Sequence, residues 1–134
     1  MKNYIYPACF YKQSDGAYVV TFPDFDNVAT EGEDIKDAYL MAVDCLGTLI
    51  AGKFEDNEKL PQSSAIENVR PAADPELGDD VRVMLVSVDL DDFLSKASVK
   101  KTLSIPAWLD KAASEQHINF SRVLQDALKQ QLGL

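Results

Sequence analysis

Three arrangements in this 134-residue chain carry residue types that chemistry needs. Gly47-Thr48-Leu49-Ile50-Ala51-Gly52-Lys53 spaces two glycines and a lysine as a phosphate-binding loop does. Phe54, however, stands where a Ser or Thr hydroxyl must meet magnesium, and the run falls near the end of an amphipathic helix instead of between a strand and a helix. It reads as helix with two permissive glycines. Nucleophilic catalysis needs a base within reach of a thiol or hydroxyl, and the lone His117 has no predicted position beside Cys9 or Cys45. Those three residues lack the clustered spacing of a metal site, so no metal, cofactor or catalytic residue is expected and the chain is not read as an enzyme. The third arrangement is Val99 to Ile105, a short basic segment that alternates: Lys100, Thr102 and Ser104 point to one face, Lys101, Leu103 and Ile105 to the other.

Pro106 stops that segment as a strand, and the last 40 residues hold no second strand to pair with it. Its backbone groups need partners, and the same strand of a second chain, antiparallel to it, supplies them. A homodimer follows. Beyond Pro106, Trp108, Leu109, Ala112 and Ala113 make an apolar stripe through about Gln116, and His117 marks a turn. Asn119 is a good N-cap for a second helix, in which Phe120, Val123, Leu124, Ala127, Leu128 and Leu132 recur at helical spacing before Gly133 closes it.

The preceding residues are of another kind. Residues 1–95 carry 7 Lys and Arg against 19 Asp and Glu, a net −12, whereas residues 96–134 carry 6 against 3, a net +3. The acidic part is a poor nucleic-acid binder but suits a basic protein partner. Strands are expected over Tyr4 to Tyr11, Ala17 to Phe22 and Val28 to Glu31, with a turn at Ser14-Asp15-Gly16. A helix capped near Asp34 follows, with an apolar stripe from Ile35 through Leu46 to Ile50 that covers the sheet. Residues 55–79 are polar, hold Pro61, Pro71 and Pro75, and read as a loop with a short turn. Val81 to Val88 is a strongly apolar fourth strand, followed by a turn of helix near Asp91 to Leu94. Two widely separated cysteines, no signal-like start and no run long enough to span a membrane lead to an expectation of buried, reduced thiols in a cytoplasmic protein.

The stretch KKTLSIPAWLDKAASEQHINFSRVLQDALKQQL resembles a ribbon-helix-helix DNA-binding domain, in which two strands form a ribbon that enters the major groove. The resemblance implies that Lys100, Thr102 and Ser104 read base edges. It also implies that Asn119, Phe120 and Ser121 present backbone N–H groups to a phosphate, with Arg122 beside them. Leu103, Ile105, Trp108, Val123, Leu124 and Leu128 fall to the dimer interface. His117 stands where the family often has Gly, and His tolerates positive φ better than most residues.

The whole order, β-β-β-α-β followed by a ribbon-helix-helix, resembles a HicB-type antitoxin, on YPACFYKQSDGAYVVTFPDFDNVATEGEDIKDA, the later KLPQSS and the strand MLVSVDL. That likeness implies an α+β fold: a partial ribonuclease-H-like domain over 1–90, a linker over 91–98 and the ribbon-helix-helix over 99–134. It implies that the first domain masks a HicA-like messenger-RNA-cleaving ribonuclease toxin; Asp24 and Asp26, just after Pro23, are read as capping the turn or meeting the toxin. The dimeric second domain would bind operator DNA and repress its own operon, in a higher assembly with toxin. A ribonuclease-H-like nuclease would hold two metal ions between carboxylates, but Tyr4 to Tyr11 contains no Asp or Glu to join Asp44 and Asp89, so cleavage by this chain is not expected. The alternative is a stand-alone ribbon-helix-helix regulator whose first domain senses a ligand or holds the dimer together.

Overall fold

A computed structural model describes residues 3–72, 74–95 and 98–134. The chain divides into two compact units, Met1–Leu94 and Ser95–Leu134. In the first unit, β1 (Asn3–Lys12), β2 (Tyr18–Phe22), β3 (Val28–Gly32) and β4 (Val81–Asp89) make one sheet in the order β3-β2-β1-β4, every neighbouring pair antiparallel. The helix α1 (Ile35–Glu55) lies across it. The second unit contains α2 (Ala107–Glu115) and α3 (Phe120–Leu132). The fold is α+β, and its strands fall where the alternation of the sequence places them.

Local chemistry explains the turns. Between β1 and β2, Gln13 N–H donates to Ala17 O at 2.8 Å, and Gly16 takes φ +91, a conformation that needs no Cβ. Asp26 and Asn27 turn the chain into β3 with φ 55 and 57, the left-handed region that Asp and Asn enter more readily than other side chains. Asp34 caps α1 by accepting from Asp37 N–H at 2.8 Å, while the Asp37 carboxylate accepts from Glu33 N–H at 2.8 Å. This reciprocal arrangement satisfies donors that the first helical turn leaves open. A Cβ at Gly32 would fall on the backbone of Asp37 and Ala38, so a small residue there lets β3 run directly into the helix.

Tyr6, Ala8 and Phe10 of β1, Val20 and Phe22 of β2 and Val86 and Val88 of β4 are buried on one face against Ala38, Ala42, Leu46 and Ile50 of α1. The alanines permit close approach of helix and sheet. Part of the opposite face, around Cys9, Tyr11 and Thr21, is also covered, because α1 ends at the wrong end of the sheet for β4 to enter antiparallel. The intervening segment must climb back. On the α1 face Tyr6 Oη donates to Pro61 O at 2.6 Å, and on the opposite face Tyr11 Oη donates to Ala72 O at 3.3 Å and Gln13 Nε2 to Leu77 O at 3.1 Å, so successive residues of the segment meet successive levels of β1. On the way Val69 is buried against Cys9 and Tyr11, with Val19, Leu77, Val81 and Val83 packed around them. Thr21 is buried for the same reason.

After β4, Leu90 is buried, Asp89 accepts from Asp91 N–H at 3.0 Å, and Gly47 of α1 lies under the Phe93 ring. The first compact unit therefore runs to Leu94, and the segment drawn as a linker from residue 91 begins inside it.

Candidate functional site

In the second unit, residues 98–106 belong to no helix or strand, so the strand expected over 99–105 is not formed within one copy, where the described residues offer it no pairing partner. Helix α2 begins after Pro106, whose carbonyl accepts from Leu109 and Asp110 N–H at 3.1 Å each. His117 has φ 55, so the tight turn forms with His in the left-handed region. Asn119 caps α3 by accepting from Arg122 N–H at 3.0 Å, and Gly133 ends it with φ 76.

No described residue of this unit is buried. Leu103 keeps 64% of its surface, Trp108 72% and Val123 54%, Ile105 and Leu128 are exposed as well, and Leu124 is half-buried. Amphipathic helices are stabilised mainly by burial of their apolar stripe, which one copy of this unit does not provide. Lys100, Thr102 and Ser104 are exposed along the same segment. At the start of α3, Phe120 and Ser121 are exposed, Ser121 Oγ accepts from Gln125 Nε2 at 3.1 Å, and Arg122 lies 3.9 Å from Asp126. An exposed i,i+4 pair of that length is worth about 0.3–0.5 kcal/mol, little enough for a phosphate to displace.

In the first unit, Asp24 and Asp26 do not act alike. Both oxygens of Asp24 are engaged, accepting from Ser64 Oγ at 2.6 Å and from Ser64 N–H at 2.9 Å, so this carboxylate ties down the segment after α1. Its charge also adds to burial in holding the Tyr6 hydroxyl above its usual range. Asp26 is exposed in the left-handed turn. Both line a groove of about 570 Å³ with Phe25, Lys53, Lys59 and Pro61. The Asp24–Ser64 tie had no signal in the sequence, where the two residues lie 40 positions apart.

The arrangements set aside in the sequence have structural roles. Residues 47–54 lie inside α1, and among the described residues no group of three or more His, Cys, Asp or Glu side chains could hold a metal ion. Cys9 is buried and Cys45 half-buried, and burial raises both thiols above their ordinary value. That disfavours the nucleophilic thiolate. No helix among the described residues is long and apolar enough to cross a membrane.

An acidic α+β unit, joined to a basic helical unit whose apolar side chains stand exposed, defines a chain that works by association. Residues 6–127 match the family described as HicB_like antitoxin of bacterial toxin-antitoxin system, and the chain belongs to that family. An antitoxin is an inhibitor, not an enzyme. The chain is 37% identical to an uncharacterized 14.9 kDa protein of Haemophilus phage HP1, over 78% of this chain and 75% of that one. It is 30% identical to Antitoxin HicB 1 of Photorhabdus laumondii, over 78% of this chain and 66% of that one. Among solved structures, it is similar to a chain of a toxin–antitoxin complex from Streptococcus pneumoniae, at TM-score 0.64 and 35% identity over 97% of this chain and 99% of that one. It is also similar to the antitoxin HicB of Burkholderia pseudomallei, at TM-score 0.54 and 27% identity over 93% and 96%.

Proposed function

We propose that this chain is a two-part antitoxin: the unit ending at Leu94 binds and masks a small basic HicA-like ribonuclease, and the unit beginning at Ser95 dimerises, binds operator DNA and represses its own operon. The observation that carries the reading is the segregation of charge along the chain, −12 in residues 1–95 and +3 in residues 96–134. One chain thereby presents a surface that attracts a cationic protein and another that attracts phosphate. Masking needs no chemistry. A toxin whose RNA-binding surface is covered cannot reach its substrate, and acidic side chains are the natural cover for a surface built to hold RNA.

In the second unit, pairing residues 99–105 of two copies would satisfy the backbone of the extended segment and bring Leu103 and Ile105 of both together over Trp108, Val123, Leu124 and Leu128. Lys100, Thr102 and Ser104 would then stand on the outer side of a two-stranded ribbon, which the major groove admits. The N–H groups at Asn119, Phe120 and Ser121, with Arg122, would hold a flanking phosphate.

The test is co-purification. This chain, tagged, is expressed with the product of the small basic reading frame beside its gene, and toxin retention and RNA cleavage are measured on the same sample. The expected result is a stable complex that does not cleave RNA. A neighbour that fails to bind, while the chain still binds its promoter DNA, would leave a dimeric regulator and overturn the antitoxin assignment.

A further inference from the structure

β4 is an edge strand, and no strand among the described residues pairs with its outer side. Its inner side is fixed by two hydrogen bonds at the end of β1: Lys12 N–H donates toward β4, to Asp80 O at 2.8 Å, and Gln13 N–H donates toward β2, to Ala17 O. The register runs without a bulge from Tyr11 opposite Val81 to Asn3 opposite Asp89. Ladder alternation therefore assigns Arg82, Met84, Val86 and Val88 to the β1 side and turns the N–H and C=O groups of Val81, Val83, Leu85 and Ser87 outward. Two of these carbonyls have side-chain donors, Val81 O from Arg82 at 3.1 Å and Leu85 O from Tyr39 Oη at 3.4 Å. Among the described residues the N–H groups of Val83, Leu85 and Ser87 have no acceptor.

Native edge strands are normally blunted by Lys, Pro or a bulge. From Val83 to Val88 this one has none, although it is one of the longest strands of the sheet. Leu85 stands 48% exposed on the face away from α1. On the helix side, α1 passes from Tyr39, whose hydroxyl reaches β4, to Gly47 under Phe93. Leu40, 60% exposed, shares a ridge with Val43 and Gly47 at helical spacing along that side. Apolar side chains thus border the open edge on both faces. Both ends are acidic, with Asp79 and Asp80 before the strand, Asp89 as its last residue and Asp91 and Asp92 after it. Arg82 is the only cation of the strand, and it lies 3.4 Å from Asp80.

We propose that the outer edge of β4 receives an extended strand of the cationic partner protein, apolar at its centre and carrying Lys or Arg at its ends, which joins the sheet as a fifth strand. This rests on the reading that the first unit masks a basic toxin. Strand addition gives affinity through main-chain hydrogen bonds and specificity through alternate side chains. A second copy of this chain fits the edge poorly. Antiparallel self-pairing would set Asp89, Asp91 and Asp92 of one copy beside Asp79 and Asp80 of the other, between two units that each carry about twelve surplus negative charges.

The experiment compares the free chain with its complex with the product of the adjacent small basic reading frame, by amide hydrogen exchange and by binding. The amides of Val83, Leu85 and Ser87 exchange freely in the free chain and become protected in the complex. Ser87→Pro removes only an outward N–H and leaves the β1 ladder intact, so melting temperature is held while binding weakens about tenfold or more. Leu85→Lys, which retains every backbone donor, places a cation where a cationic strand must dock and weakens binding in the same direction. If the unaltered chain does not bind that product, the antitoxin reading falls and the edge assignment with it. If it binds, yet the three amides still exchange freely and both variants bind equally, the edge assignment alone falls. Protection that grows with concentration of the free chain would put a second copy on the edge and overturn the proposal.

Discussion

Leu103→Ala is the perturbation that tests the dimer most directly. In one copy of the second unit Leu103 keeps 64% of its surface, so truncating it removes little that the single chain has buried. Burying a leucine side chain completely is worth about 1.5–3 kcal/mol, and the still exposed two-thirds therefore corresponds to about 1–2 kcal/mol per copy. Twofold symmetry counts the loss twice, about 2–4 kcal/mol per dimer, or roughly 30- to 700-fold in the dissociation constant. The assay is sedimentation velocity across a dilution series, with Thr102→Ala as the control from the opposite face of the same extended segment. Thr102→Ala is expected to leave dimerisation within about threefold, since it removes no apolar contact from the paired face. A wild-type chain that stays monomeric at high micromolar concentration, or a Leu103→Ala chain that dimerises as well as the wild type, would refute the argument.

Other perturbations separate the remaining parts. Thr102→Ala and Ser104→Ala are each expected to weaken preference for the operator over random DNA by about 1–3 kcal/mol, and Lys100→Ala to flatten the salt dependence of binding, both read by fluorescence anisotropy at several salt concentrations. Unchanged operator affinity after all three substitutions sinks the ribbon assignment. Ser64→Ala removes the hydroxyl donor to Asp24 and is expected to lower unfolding free energy in urea by about 1 kcal/mol and to speed proteolysis near residue 64; an unchanged midpoint would mean that the tie carries no stability. His117→Gly relieves a side chain held at φ 55 and is expected to stabilise the helical unit by up to about 1 kcal/mol, seen as a higher melting temperature, whereas a drop would show that the imidazole makes a contact that outweighs the strain.

How much of this was legible in the sequence depends on the range over which each feature is determined. Secondary structure was readable because strand alternation, the Asp34 and Asn119 caps, Gly133 and Pro106 act within a few residues of themselves. His117 was readable as a turn for the same reason, and so was the division of charge, which is composition. The C-terminal unit declared its incompleteness in sequence: a single alternating segment and two amphipathic helices offer more apolar side chains than 40 residues can bury. The roles assigned to Lys100, Thr102, Ser104 and Arg122 come from likeness to a DNA-binding family and stand as proposals.

What the sequence could not decide is the path between α1 and β4. Residues 56–80 are polar and proline-rich, and nothing local in them states that they cross a sheet. That is settled by the antiparallel entry of β4: once the strand must start at the far end of β1, the segment has to run the length of the sheet, and Val69, Pro61, Ala72 and Leu77 find partners on residues far away in the chain. The same long-range choice engages Asp24 with Ser64 and puts β4 at the edge of the sheet, with no described strand paired to its outer side. The sequence alone determined the four strands of the sheet, the three α-helices and how charge is divided between them, since each follows from short-range stereochemistry and composition. Only the tertiary structure decided which sheet face is covered, which carboxylate is already engaged and which strand edge remains for a partner, because those depend on where the chain returns in space.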